Sequence, residues 1–255
     1  MQSQDYAVDI GRIRQNAIDA CVKIVLEDPN EKLIGGWTLS CPREANTLRS
    51  LPFEECVLLL TNAAIYFCRH DWNAEKVGSF ERVELLDLTD IWRGAYITST
   101  LGPTNLDPAR NVGFAVRYTT KKGSIVRTNT RSLGNEHEAK SENAGKSELE
   151  KQKSPTKDES RLLAFKAQAP QDSAAKKEDA EKAPALSEVE LVKHICDEVH
   201  RLTAAAVQST EGFDHLALDK VLRVQEKDVV SAADARKSTG YVEAIGYGLK
   251  KMVWS

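Results

Sequence analysis

The residues best suited to covalent chemistry are five cysteines, Cys21, Cys41, Cys56, Cys68 and Cys196. A thiolate that accepts a phosphoryl group needs a Cys-x5-Arg spacing, so that one loop wraps its amides and a guanidinium around the phosphate. The arginine positions here hold Glu27, Thr47, Asn62, Ala74 and Leu202. Arg49 is spaced too widely from Cys41, and Arg201 one residue too closely to Cys196. There is no CxxC pair for a structural zinc site, and an odd cysteine count at wide spacing is no disulfide framework. Free thiols favour burial, so Cys21, Cys56, Cys68 and Cys196 are expected in or near the core. His194 and His200 stand six apart on one predicted helix and do not share a face as a metal pair would. GxSxG, Walker and HExxH motifs are missing from the sequence. The expectation is a chain without a catalytic centre, a metal or a cofactor of its own.

Basic residues offer binding chemistry instead. Arg117, Lys121, Lys122 and Arg127 cluster around Lys121-Lys122-Gly123. Near an anionic bilayer each such cation contributes about 1 kcal/mol. The same residues also suit an ordinary solvated turn. A terminal segment ending in Lys250-Lys251-Met252-Val253-Trp254 suits a membrane surface or a docking face.

The elements that would position these groups follow from periodicity. Ile10, Ile13, Ala17, Cys21 and Ile24 form one stripe of a helix over 4–26, which Pro29 closes. This stripe is the candidate packing or dimer face. Strands are expected over 32–40, with a bend at Gly35-Gly36, over 56–61 and 64–69 joined by an Asn62-Ala63 turn, and over 77–83 and 90–99. Two more, over 113–119 and 124–130, flank Lys121-Lys122-Gly123 as a hairpin. Residues 161–166 form an apolar island read as another strand. Short strands at this spacing indicate a small antiparallel barrel or sandwich. Ser187 and Glu190 make a capping box, ahead of a stripe of Val192, Ile195, Val199, Leu202 and Ala206.

The rest is polar. Residues 132–160 and 168–186 are rich in Glu, Lys, Ser, Ala and Pro and read as a disordered insert and a low-complexity linker. The organisation expected is an N-terminal helix over 1–30, a domain over 31–209 closed by the helix at 187–209, and a tail over 210–255 with a short helix near its end. A net charge of -3 and a pI near 6.0 argue against nucleic acid. The N-terminus lacks the pattern of a signal peptide, and no apolar run is long enough to span a bilayer. A cytoplasmic chain, peripheral on membranes at most, is expected.

A helix, seven or eight strands and a closing amphipathic helix make the pleckstrin-homology-like plan, an α+β, mainly β barrel. The words are more specific. Asn62 to Gly94, NAAIYFCRHDWNAEKVGSFERVELLDLTDIWRG, resembles the homology domain that follows the catalytic domain in one branch of Sac-type phosphoinositide phosphatases. A strand with Tyr, a turn, Phe-Glu-Arg-Val-x-Leu and Ile-x-x-Gly recur there in this order. DACVKIVLEDP and ADARKSTGYVE resemble fungal members of that branch. The resemblance implies a homodimer on endosomal or other phosphoinositide-containing membranes, with a Sac catalytic domain in the same or a partner chain. A stand-alone phosphoinositide- or protein-binding adaptor is the alternative.

Overall fold

The computed structural model describes residues 2–49, 52–100, 102–120, 159–168, 186–209 and 222–237. The chain opens with α1 (Gln2–Val25). Four strands follow, β1 (Leu33–Pro42), β2 (Phe53–Thr61), β3 (Ala64–Asp71) and β4 (Lys76–Glu84). A 3-10 turn at Leu85–Asp87 leads to β5 (Leu88–Ala95), the short α2 (Pro103–Leu106) and β6 (Val112–Thr120). Then come β7 (Glu159–Lys166), α3 (Glu188–Ser209) and β8 (Val224–Glu226). The strands form one eight-stranded sheet in the order β4-β3-β2-β1-β7-β6-β5-β8. The fold is α+β and mainly β, compatible with the pleckstrin-homology-like plan.

The sheet bends where β1 meets β7, with Ser40 opposite Lys166. The apolar stripe of α3 packs against the core. Val192, Ile195, Cys196, Val199 and Leu202 are buried with the inner faces of the strands, and Ala206 packs against them. The capping box forms: Glu190 Oε2 accepts the Ser187 amide at 2.9 Å, and Ser187 Oγ accepts the Glu190 amide at 3.3 Å.

The run Cys56–Leu60 is apolar throughout because both faces of β2 are covered. Leu58 and Leu60 point into the barrel, whereas Val57 and Leu59 face outward under α1. On β3, Ile65 and Phe67 point in, and Tyr66 and Cys68 point out. The Asn62-Ala63 turn is tight, with Thr61 Oγ1 accepting the Ala64 amide at 2.9 Å. The glycine pair marks a true irregularity, since the β1–β2 register shifts between Leu33 and Gly35. A Cβ on Gly36 would lie 2.7 Å from Ile18 Cγ2, so the bare backbone lets α1 cross closely.

Two expectations change, and others fall on residues that the structure does not describe. The predicted strand over 124–130 and its turn lie outside the described residues, as do most of the insert and of the linker and the terminal helix; the last two residues of the insert, 159–160, open β7. The described neighbours of β6 are β5 and β7, Thr120 standing opposite Glu159. The strand expected to run to Ser99 ends at Ala95. The tail contributes more than expected: β8 lies parallel on β5, and Leu222, Val229, Val230 and Ala235 are buried. Gly94 makes this possible, because a Cβ there would stand 2.6 Å from the Lys227 carbonyl. Arg93 fastens the seam, reaching Asp197 on α3 at 2.9 Å and Glu226 on β8 at 2.6 Å.

Candidate functional site

At the end of the barrel where β1 finishes and β4 begins lies a cavity of about 220 Å³. Cys41 closes β1 beside it, Phe67 and Arg69 come from β3, Glu81 from β4, and Arg161 and Phe165 from β7. The β1–β2 loop forms a wall and is pinned by Asn46, whose Oδ1 accepts the Leu162 amide at 2.9 Å. Asn46 sits at φ 58, a left-handed conformation that asparagine tolerates better than most residues.

The electrostatics of this mouth are balanced. Arg69 lies over the Phe67 ring and donates to Glu54 at 3.0 Å and to the Arg43 carbonyl at 2.9 Å. Arg161 stands 3.6 Å from Glu81, which also accepts the Tyr118 hydroxyl. Burial, with Glu81 beside it, pushes Tyr118 up, so it remains a neutral donor. A hydrogen bond from Cys56 pulls the Cys41 thiol down, against the opposing effect of burial and with help from Arg69. Burial pushes Cys56 well up.

All five thiols are free and buried, as expected for Cys21, Cys56, Cys68 and Cys196; Cys41 joins them. Cys68 is held up chiefly by its hydrogen bond with Cys21, and burial pushes Cys196 to about 12. His194 meets the Trp37 ring edge-on and His200 Nδ1 faces the Leu222 carbonyl, so both do structural work. Among the described residues no group of three or more His, Cys, Asp or Glu is placed to hold a metal. None of their helices is long and apolar enough to cross a membrane.

Of the candidate lipid contacts, Arg117 lies among the described residues. Arg117 lies on β6, paired with Asp90 at 3.0 Å and over the Trp92 ring. Lys121, Lys122 and Arg127 lie outside the described residues. On α1, Ala17 and Cys21 are buried against the chain's own sheet, and Ile24 packs beside them. Ile10 is half-buried, and Ile13 is exposed. Much of the stripe therefore serves packing within the chain, Ile13 being its most exposed member and Ile24, like Ile10, half-buried.

The words at Asn62–Gly94 acquire physical roles. Phe80 packs on the outer face, and Val83 points into the barrel. Glu81 bridges the mouth to Tyr118 and Arg161. Arg82 donates to the Tyr66 hydroxyl at 2.9 Å, and that hydroxyl donates to Glu31 at 2.9 Å, tying the α1–β1 loop down. Burial pushes Tyr66 up to about 12. Gly94 admits β8.

Comparison with known proteins agrees with these words. The family model hSac2, described as inositol phosphatase, matches residues 5–119. No curated protein matches the chain. A solved structure, the hSac2 domain from human phosphoinositide phosphatase Sac2, is similar at 17% identity, over 89% of this chain and 92% of that chain, with a TM-score of 0.41. Over residues 5–119, from α1 to β6, this chain is thus similar to the homology domain associated with Sac-type inositol phosphatases.

Proposed function

We propose that this chain is a non-catalytic homology domain of a Sac-type phosphoinositide phosphatase that self-associates and helps position the enzyme at phosphoinositide-containing membranes, endosomal ones among them. The observation that carries this reading is the match of residues 5–119 to the inositol phosphatase family model. Self-association uses the Ile10–Ile13 end of α1, where Ile13 is 40% exposed beside a helix otherwise committed to its own sheet. Membrane contact falls to Lys121, Lys122 and Arg127. Arg117, with its charge matched by Asp90, plays a lesser part. The catalytic domain lies in the same or a partner polypeptide.

Light scattering of the purified chain at micromolar concentration is expected to give a dimer mass; a clean monomer would remove the self-association. Sedimentation with liposomes containing phosphatidylinositol 4-phosphate is expected to be lost in the Lys121→Glu, Lys122→Glu double variant. Unchanged sedimentation would reject that contact. Phosphate release from the same lipid by the chain alone, above background, would overturn the non-catalytic reading.

A further inference from the structure

Two of the five thiols meet on the inner face of the barrel. Cys41 stands opposite Glu54, and Cys56 opposite Leu39, so the two cysteines are diagonal neighbours on one face of the β1–β2 pair. Both belong to the cluster that fills the barrel. Cys56 Sγ donates to the Leu39 carbonyl at 3.4 Å, and its thiol also lies within hydrogen-bonding reach of Cys41. Their surroundings differ. Cys56 is sealed in the core, whereas Cys41 borders the barrel-mouth cavity, whose 220 Å³ admits water-sized molecules.

Their chemistry differs in the same sense. The hydrogen bond from Cys56 favours a thiolate at Cys41, Arg69 adds to it, and burial opposes it without prevailing. Cys56 keeps its proton, because burial pushes it well up. A thiol with raised thiolate character, reached through a cavity and placed beside a second thiol, is the arrangement that oxidants attack first.

We infer that Cys41 is a site of oxidation by peroxides and that Cys56 resolves the product into an intrachain Cys41–Cys56 disulfide. The Cys41 thiolate attacks one peroxide oxygen, the O–O bond breaks, and the departing hydroxide takes up the thiol proton as water. Cys41 is now a sulfenic acid. The Cys56 sulfur attacks the Cys41 sulfur, the S–O bond breaks, and a second water leaves with the Cys56 proton. Two thiols lose two electrons, and one peroxide gains them. Diagonal neighbours stand about 7–8 Å apart at Cα, a little beyond the roughly 4.4–6.8 Å of a disulfide, so the end of β1 must draw inward by about 1 Å. That end has the freedom to do so. Its pairing with β7 is Ser40 opposite Lys166, and Pro42, two residues on, has no N–H with which to extend it. A bond closed against slight strain is readily reduced, which makes the modification reversible by thiols. It would close the β1–β2 loop at its base and fix the cavity wall that Asn46 pins. This site is independent of the lipid and self-association readings above.

The test is exposure of the full chain to hydrogen peroxide, alkylation of the remaining thiols after denaturation, and mass spectrometry of the peptides. A Cys41–Cys56 cross-link, about 2 Da lighter than the reduced pair and lost on treatment with dithiothreitol, is expected. Cys21 and Cys68 are an internal control. They too are fully buried and hydrogen-bonded to each other, but Cys68 is held well up and the pair lies under α1. They should oxidise at least about tenfold more slowly, as thiols without thiolate character do. Cys56→Ser should halt the reaction at the sulfenic acid, captured by dimedone on Cys41, and Cys41→Ser should leave Cys56 reduced. Cys41 staying reduced while other thiols oxidise, or Cys21 and Cys68 cross-linking as fast, overturns the proposal. Both comparisons are made within the unaltered chain, so a misfolded variant cannot obscure them.

Discussion

The two long helices use similar stripes for different purposes. α3 sends Val192, Ile195, Val199 and Leu202 into the core that the two halves of the sheet share, packing mainly on β5, β6 and β8. α1 lies outside, over β1 to β4, and its fully buried contacts are small: Ala17, Cys21 and Val25. Removing a helix that fills the centre exposes the core of both halves, whereas removing one that covers an outer face exposes one half only. α3 is therefore part of the folding unit, and α1 is a cover with a lower local opening free energy.

The sharpest way to break this distinction is Ile195→Ala. Ile195 is fully buried, and truncating such a side chain costs about 2–5 kcal/mol because a cavity remains. Urea unfolding followed by tryptophan fluorescence should shift as a single transition with an unchanged slope. A separate early transition confined to α3 would show that the helix is not integral to the fold.

Gly36→Val tests the other helix. The new side chain would press on Ile18 and on Leu59, whose Cδ2 lies 3.1 Å from the ideal Cβ position. Overpacking of this kind costs about 1–3 kcal/mol. Hydrogen exchange should accelerate in α1 and stay slow in α3. Equal acceleration in both would mean that the two helices open together.

Ser187→Ala sharpens the comparison at a single end. It removes the hydroxyl that accepts the Glu190 amide, and losing an N-cap costs about 1 kcal/mol. Because α3 belongs to the folding unit, the loss should appear in the global midpoint. An effect limited to fraying of the first turn would weaken the claim that α3 and the barrel unfold as one.

How much of this could be read from the sequence follows the same division. The α3 stripe was legible because four large side chains repeat at helical spacing above a capping box. The strands of β2 and β3 were legible as apolar runs, though not which residues point inward, since both faces are covered. β8 was not legible: Val224, Gln225 and Glu226 are too few to show alternation, and a parallel edge strand takes its partners from β5, distant in sequence. The barrel-mouth cavity was not legible either, because Cys41, Arg69, Glu81 and Arg161 meet only once four strands are assembled. Phe-Glu-Arg-Val was recognisable as a word, but Glu81 and Arg82 gained their separate bridging roles only in three dimensions.

His70 gives the smallest effect and the most specific one. It sits under α1, and burial holds its imidazole below the ordinary value of 6.5, outweighing the carboxylates of Asp71 and Glu75, which act in the opposite direction. The unfolded chain therefore takes up a proton at a pH where the folded chain does not. Stability rises with pH wherever the unfolded state binds more protons, so this contribution is complete above about 6.5 and declines as pH falls through that value, levelling off below the folded pKa. Near neutral pH the imidazole costs the fold nothing; in mild acid it favours release of α1. The expected outcome is that α1 amides exchange progressively faster relative to α3 amides as pH is lowered from about 7.5 to about 5.5, after correction for intrinsic rates. His70→Gln, which carries no titrating group, should flatten that ratio and leave the slower acid response of the carboxylates in place. If the ratio in the variant still follows pH as in the parent chain, the acid sensitivity of α1 has another origin, and the distinction between a cover and a core helix must rest on Ile195 and Gly36 alone.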